Sequence, residues 1–167
     1  MSYVALLRGI NLGKLNKVDM KSLKQLFEQL GFEQVQTYIQ SGNVLFNSLI
    51  LDEQQLEEKL QQTYHFEIPV IVRSKDELLA AIQHPIAEKE NVYFLFLKKK
   101  MTEQQHNDLK EIVTEQFTVL NDDTIVINLG DNYHKSKFTN AFFERKLLIT
   151  STARNKNTVK KILQKMD

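Results

Sequence analysis

YVALLRGINLGKLN, residues Tyr3 to Asn16, predicts a short apolar strand that runs directly into a polar loop containing two glycines. The loop carries Arg8, Asn11 and Lys14, and a helical pattern begins shortly after it. A strand, a glycine-containing polar loop and a helix in this order are typical of sites that bind an anion or a small ligand. The pattern indicates where a ligand would bind, but it assigns no reaction.

The segments after this loop alternate between helical and extended patterns. Apolar residues at three- and four-residue spacing predict helices, and short alternating runs predict strands. The resulting order is βαββαβ, the split pattern of a ferredoxin-like fold. The predicted strands are 3–8, 34–40, 44–47 and 68–73, and the predicted helices are 20–30 and 52–64.

The second half repeats this order after a connecting helix at 75–83. We therefore predict an α+β fold of two tandem ferredoxin-like (α-β plait) subdomains, with a connecting helix and a C-terminal helix. No repeat is evident at the level of single residues. The predicted boundaries are 1–74, a linker at 75–91, and 92–167. The predicted strands of this half are 92–97, 117–120, 124–129 and a short 147–149, and its helices are 103–116, 137–146 and 158–166.

The composition is that of a globular protein with a real core. The 167 residues are 42% hydrophobic and 26% charged. Because cysteine is absent, disulfides, thiolate metal sites and cysteine nucleophiles are excluded. No apolar run is long enough to span a membrane and no signal peptide is evident, so we expect a cytoplasmic protein. The four histidines show no metal-ligand spacing, and no catalytic motif or cofactor fingerprint stands out, so any enzymatic activity stays undetermined.

Charge is distributed unevenly along the chain. Residues 1–24 have a net charge of +4 and residues 135–167 of +7, which leaves −10 for the segment between them. One interpretation is a basic surface for an anionic partner, including nucleic acid. The alternative is that two basic helices are simply solvated or pair with the acidic centre.

Topology predicts a cluster of polar residues at one edge of the first sheet. In a βαββαβ unit, the exit of the first strand and the turn between the second and third strands lie at the same edge. Arg8 and Asn11 should therefore lie near Ser41 and Asn43. A guanidinium, two carboxamides and a hydroxyl suit a phosphate or carboxylate, and no local base accompanies them. The alternative is that the glycines and asparagines serve only their turns.

The same argument predicts a second polar cluster in the second half. The loop 130–136, with Tyr133 and His134, should meet the segment 151–157, with Arg154, Asn155 and Asn157, at one end of that sheet. A helix start with free N–H groups attracts anions. Ordinary helix capping by the asparagines is the alternative.

These motifs resemble the bacterial domain-of-unknown-function family sixteen-ninety-seven over nearly the whole chain. The resemblance is carried by YVALLRGINLGKLNKVDM, LGFEQVQTYIQSGNVLF, SKFTNAFFERKL and TARNKNTVKKIL. It implies two tandem α-β plait subdomains and implies no activity. The positions that match the family's motifs are Arg8, Gly9, Asn11, Lys17, Tyr38, Ser41, Gly42, Asn43, Lys137, Arg154, Asn155, Asn157 and Thr158. Leu15, Lys135 and Lys156 depart from the family's pattern.

Three functions follow as hypotheses. The first is a protein that binds a small anionic ligand, with Lys17 and Lys137 added to the two clusters by the resemblance. The second is nucleic-acid binding by the basic ends, although the third strand, VLFN, lacks the aromatic set that RNA-binding sheets use. The third is an interaction or structural module, in which a partner or a homodimer covers an apolar face.

Overall fold

The computed structural model describes residues 1–130 and 137–166. Within them the protein is α+β, with two four-stranded antiparallel sheets and six α-helices. The chain divides into two compact units. The first comprises residues 1–77 together with 162–167, and the second comprises residues 78–161.

Residues 1–74 of the first unit form one sheet and two helices in the order that the sequence predicts. Its strands are ordered β2-β3-β1-β4, and all neighbouring strands are antiparallel. Leu6 pairs with Asn43, which brings the exit of β1 to the turn between β2 and β3. The elements are β1 (Ser2–Leu7), α1 (Met20–Gln29), β2 (Glu33–Tyr38), β3 (Asn43–Asn47), α2 (Glu53–Tyr64) and β4 (Val70–Ser74).

The core of this unit lies between the sheet and the two helices. Alternate residues of the strands, such as Ala5 and Leu7, pack with Phe27 of α1 and Leu60 of α2, because side chains alternate across a strand and recur every three to four residues along a helix. Side-chain caps set the helix starts. Asp19 accepts a hydrogen bond from the Ser22 amide, and Asp52 caps α2 in the same way.

The second unit repeats the sheet topology with the order β6-β7-β5-β8. Its core combines Leu95 and Ile125 of the sheet with Leu109 and Phe143 of the helices. A short 3₁₀ helix at Pro85–Glu88, which the sequence did not predict, precedes the first strand. The elements from the connecting helix onward are α3 (Lys75–Gln83), β5 (Val92–Leu97), α4 (Glu103–Ile112), β6 (Phe117–Leu120), β7 (Thr124–Asn128), α5 (Asn140–Leu147), β8 (Ser151–Asn155) and α6 (Lys156–Lys165).

The predicted last strand at 147–149 is wrong. Leu147 is the buried end of α5, and the strand that pairs with β5 is Ser151–Asn155. The sequence STARN conceals this strand because its buried residues are polar. Contacts with α5 satisfy Ser151: its Oγ donates to Asn140 Oδ1 at 2.6 Å, and its amide donates to Glu144 at 3.0 Å. Helix α6 accordingly starts at Lys156, two residues before its predicted start.

The structure also shows a repeat that the sequence conceals. Arg73 lies opposite Val4 in the first sheet, and Arg154 lies opposite Phe94 in the second. Both arginines are buried, and each donates from Nη1 to the carbonyl of the residue before it, at 3.0 and 2.9 Å. Arg73 in β4 and Arg154 in β8 are therefore equivalent residues of the two units.

Both faces of the central strands are buried. Val4 and Leu6 are as inaccessible as Ala5 and Leu7, which point to the other side of the sheet. Burial on both faces suits strands that are apolar throughout. None of the described helices is both long and apolar enough to cross a membrane.

Candidate functional site

The polar loop after β1 is a small β-hairpin. The amide of Asn11 donates to the Asn16 carbonyl at 2.8 Å, and Leu12 and Leu15 exchange two backbone hydrogen bonds of 3.0 and 2.9 Å. Gly13 occupies the first position of the tight turn with φ of +59°, which a residue without a Cβ adopts readily. The loop that the sequence associates with a ligand thus has a defined structure of its own.

The Asn11 side chain fastens this hairpin to the body of the unit. Its Oδ1 accepts from the Val18 amide at 2.9 Å, and its Nδ2 donates to the Val18 and Gln40 carbonyls at 3.2 and 2.8 Å. One carboxamide therefore joins the hairpin, the entry to α1 and the turn after β2. Its donors and acceptor serve the backbone.

Asn43 has a similar role in the turn between β2 and β3. It is fully buried, and its Nδ2 donates to the Tyr38 carbonyl at 2.9 Å and to Ser41 Oγ at 3.4 Å. Beside it Gly42 has a φ of +97° and lies so close to Ile10 that a Cβ there would be 2.8 Å from Ile10 Cδ1. The hairpin and the turn are thus packed directly on each other.

Arg8 is half-buried where β1 leaves the sheet. Its amide donates to the Pro69 carbonyl at 3.0 Å, and the antiparallel register with β3 continues from Leu6–Asn43 toward Ser41. Lys17 is exposed and lines a shallow cleft of about 310 Å³ together with Asn11 and Gln40. The five residues predicted for the first cluster therefore lie at one edge of the first sheet. This edge, with Arg8, Asn11, Lys17, Ser41 and Asn43, is named here the N-terminal edge.

The N-terminal edge contains two cationic side chains, Arg8 and Lys17, and the exposed Ser41. Ser41 Oγ accepts from Asn43 Nδ2, and Arg8 also has interactions within the protein. No carboxylate among these five residues would act as a base. In the part of the chain that the structure describes, no three His, Asp or Glu side chains lie together as a metal site would require.

The residues predicted for the second cluster have mostly structural contacts where they are described. Lys137 is exposed, and its Nζ lies 5.4 Å from the centre of the Phe138 ring. Asn155 Oδ1 accepts from the Thr158 amide at 2.9 Å, so Asn155 caps the start of α6. Helix capping was the alternative interpretation of this segment. Asn157 is exposed on the first turn of α6. The loop residues 131–136, including Tyr133 and His134, lie outside the described residues.

Arg154, predicted as a contact of the second cluster, is buried in β8. Its Nη1 donates to Thr152 Oγ1 at 2.6 Å and to the Ala153 carbonyl at 2.9 Å. Burial lowers the pKa of Arg154 to about 10, and the nearby Tyr93 opposes this shift. The guanidinium is still charged at neutral pH, and these two hydrogen-bond partners lie in its own strand.

Sequence reasoning missed two surface features of the first unit. Leu12 and Leu15, at the hairpin tip, are 56% and 69% exposed. At the opposite end of β3, a cleft of about 570 Å³ lies beside Leu49 and Ile50, both largely exposed. The Leu-Gly-Lys-Leu sequence at 12–15 was the signal for the exposed hairpin tip. The run of apolar residues at 49–51, which lies outside any predicted element, was the signal for the cleft.

Comparison with known proteins adds family and fold. The family described as Protein of unknown function (DUF1697) matches residues 1–124. No curated protein matches the chain. Among solved structures, the chain is similar to the conserved bacterial protein SP0830 from Streptococcus pneumoniae, with 27% identity and a TM-score of 0.71 over 98% of this chain and 97% of that one. Neither comparison names an activity.

Proposed function

We infer the function of this chain, which belongs to the DUF1697 family of proteins of unknown function, from its N-terminal edge. We propose that the edge binds a small anionic ligand that carries a phosphate or a carboxylate. Arg8 and Lys17 are the charged contacts, and Ser41 is a hydroxyl contact. The proposal concerns binding, and a reaction is not part of it.

The observation that carries this proposal is the set of side-chain hydrogen bonds that hold the edge together. Asn11 bonds to Val18 and Gln40, and Asn43 bonds to Tyr38 and Ser41. Binding costs less when the contacting groups are already ordered. In this proposal the two asparagines position the edge and do not contact the ligand. The residues that contact the ligand directly are Arg8, Lys17 and Ser41.

Charge supports an anion over other small ligands. Residues 1–24 have a net charge of +4, with Asp19 as the single acid, and Asp19 is engaged as the cap of α1. A guanidinium, as Arg8 has at the end of β1, matches the planar geometry of phosphate and carboxylate oxygens. An ammonium group nearby adds charge without demanding a set orientation.

A thermal-shift screen tests the proposal. The wild type, Arg8→Ala and Arg145→Ala are compared against phosphate, nucleotides, sugar phosphates, dicarboxylates and short RNA. Arg145 is an exposed arginine of the second unit and so controls for charge alone. A ligand at 100 times its Kd adds roughly 2.7 kcal/mol of stability, and we expect the shift to be lost only in Arg8→Ala.

Two results would contradict the proposal. The first is an Arg8→Ala protein that no longer folds, because Arg8 would then be structural; the second is an equal shift in all three proteins. Lys17→Gln, a substitution at an exposed position, is a second variant in the same screen. A smaller ligand-induced shift in Lys17→Gln would support the proposal independently of Arg8. Stabilisation by RNA that weakens steeply with salt would instead favour the nucleic-acid alternative.

The architecture is part of the same proposal. We propose that residues 1–74 and 92–167 each form a ferredoxin-like plait and that the linker at 75–91 joins them. The support is the βαββαβ order of both units and the matching strand orders β2-β3-β1-β4 and β6-β7-β5-β8.

A second candidate function, a protein-interaction module, is favoured by the hairpin tip. Leu12 and Leu15 are exposed on a tight turn with Lys14 between them, and the exposed Ile39 in the adjoining turn has a strained φ of +50°. Exposed apolar side chains beside lysines suit a partner segment that is both apolar and acidic.

Selection of displayed peptides tests this second function. Libraries that mix acidic and apolar residues are selected on the wild type and on a Leu12→Ser/Leu15→Ser variant, whose substitutions lie at exposed positions. Enrichment of acidic-apolar peptides on the wild type and its loss on the variant would support the module. The same enrichment on both proteins would exclude the hairpin tip as the docking surface.

A further inference from the structure

The cleft at the end of β3 has no part in either function proposed above. Its volume is about 570 Å³, which is within the usual range for sites that bind small molecules. It is bordered by the segment between α1 and β2, the loop that follows β3 and the start of α2. All of these segments belong to the first unit. We name this feature the Phe32 cleft.

Two residues that line the Phe32 cleft connect it with the core. Leu30 and Phe32 are half-buried, and both pack against the core cluster of the first unit. The Phe32 ring stacks on Phe46, with the two ring centres 4.5 Å apart. Because Phe32 also lines the cleft, an aromatic side chain that packs on the core is accessible to a ligand there.

The loop after β3 adds two apolar side chains to the lining. Leu49 and Ile50 are 98% and 80% exposed. Ser48 ties the backbone of this loop: its amide donates to the Met1 carbonyl at 3.1 Å, and its Oγ accepts from the Ile50 amide at 3.2 Å. Contact of these side chains with a ligand is favourable because it removes apolar surface from water.

The lining carries more negative than positive charge at neutral pH. Glu33 and Asp52 supply two carboxylates, and none of the described residues that line the cleft is a lysine, an arginine or a histidine. The amino group of Met1, which donates to the Ser48 carbonyl at 3.3 Å, offsets one of these charges. Asp52 caps α2 through the Gln55 amide at 3.0 Å. Glu33 is exposed, and its carboxylate has no hydrogen bond or ion pair with the residues that the structure describes.

We propose that the Phe32 cleft binds a small molecule that combines an apolar body with a protonated amine. The apolar body packs on Phe32 and Leu49, and the ammonium group pairs with Glu33. A molecule of the same shape that carries a carboxylate binds more weakly, because like charges repel. The inference does not rest on the N-terminal edge, which lies at the opposite end of β3 and is proposed to bind ligands of the opposite charge.

Three probes that share an indole ring test the inference. Tryptamine carries an ammonium group, tryptophol a hydroxyl and indolepropionate a carboxylate, so the comparison changes the charge and keeps the apolar body. Each probe is titrated into the whole protein, and amide chemical shifts report both location and affinity. We expect saturable shifts at residues 30–33 and 47–55, with affinity falling from tryptamine through tryptophol to indolepropionate.

Two variants separate the charged contact from the apolar one. Glu33→Gln should weaken tryptamine binding by roughly threefold, as the loss of one exposed ion pair does, and should leave tryptophol binding unchanged. Glu28→Gln is the matched control, because Glu28 is an exposed glutamate of α1 outside the lining. Leu49→Ser/Ile50→Ser should weaken all three probes to a similar degree, since it removes apolar contact and no charge.

Three results would overturn the inference. They are the absence of shifts at the lining residues with millimolar tryptamine, equal affinities for the three probes, and an equal loss of tryptamine affinity in Glu33→Gln and Glu28→Gln. Shifts confined to residues 8–17 and 40–43 would place the probe at the N-terminal edge and would overturn it as well. Melting temperatures check that the variants, all of which change exposed residues, are folded.

Discussion

Asn11 and Val18 are joined by two hydrogen bonds through a single carboxamide: Asn11 Oδ1 accepts from the Val18 amide at 2.9 Å, and Asn11 Nδ2 donates to the Val18 carbonyl at 3.2 Å. This pairing closes the hairpin segment between β1 and α1. It ties a polar loop to the segment that leads into α1. The backbone from Arg8 to Lys17 is therefore fastened to the body of the first unit.

Asn11→Ala should destabilise the protein by about 2 kcal/mol. It removes three hydrogen bonds and leaves the Val18 backbone without its partners, and it places alanine at a φ of +51°, which asparagine tolerates better. Urea denaturation measures the change. Asn157→Ala, at an exposed position of α6, is the control and should change stability by less than about 0.5 kcal/mol. A loss as small in Asn11→Ala would show that the hairpin does not depend on this side chain.

Gly42→Ala should be more damaging than Gly13→Ala. The new Cβ at position 42 would lie 2.8 Å from Ile10 Cδ1 and 3.0 Å from Leu7 Cβ, and the φ is +97°. Strain and overpacking together predict a loss of at least about 2 kcal/mol. At position 13 the φ is +59° but no atom lies within 4 Å, so only about 1 kcal/mol is expected. Thermal melts of the two variants compare them, and equal losses would rule out the close packing on Ile10.

Tyr64→Phe should reveal a pH-dependent contribution to stability. Burial raises the pKa of Tyr64, and Asp19 adds to the rise, while the 2.6 Å hydrogen bond to Ser22 opposes it. Because the folded pKa lies above the unfolded value of about 10, the contribution of the protonated phenol is complete below pH 10 and is lost as pH rises through the folded value.

The measurement for Tyr64 is urea denaturation of both proteins from pH 7 to 11. At pH 7 the variant should be less stable by about 1 kcal/mol, since it lacks the hydrogen bond to Ser22. Above pH 10 the difference should shrink, because only the wild type has a phenol whose ionisation opposes folding. A difference that is constant over the whole range would contradict the raised pKa.

Asn155→Ala should cost about 1 kcal/mol through the loss of a helix cap. Asn155 Oδ1 accepts from the Thr158 amide at 2.9 Å at the start of α6, and removal of such a cap typically has this effect. If the same substitution left stability unchanged but abolished binding of an anion, Asn155 would be a ligand contact and the capping role would be secondary.

The helices and most strands followed from the sequence alone. Local patterns sufficed at α1, where apolar residues recur on one face and Asp19 caps the start, and at β5, which is apolar throughout. The pattern failed at β8, because Ser151 and Thr152 are polar and yet buried. Their burial is favourable because Ser151 is bonded to Asn140 and Glu144 of α5 and Thr152 Oγ1 accepts from Arg154.

The sequence also determined which loops meet, since antiparallel pairing of β1 with β3 brings Arg8 to the turn at 41–43. It could not determine what each polar side chain contacts. Asn11, Asn43 and Arg154 have donors that suit a ligand as well as a backbone carbonyl, and the choice depends on atoms contributed by distant segments. Periodicity and turn chemistry are local properties, so the sequence alone determines them. The partner of a buried donor depends on tertiary packing, because distant segments come together only when the units fold.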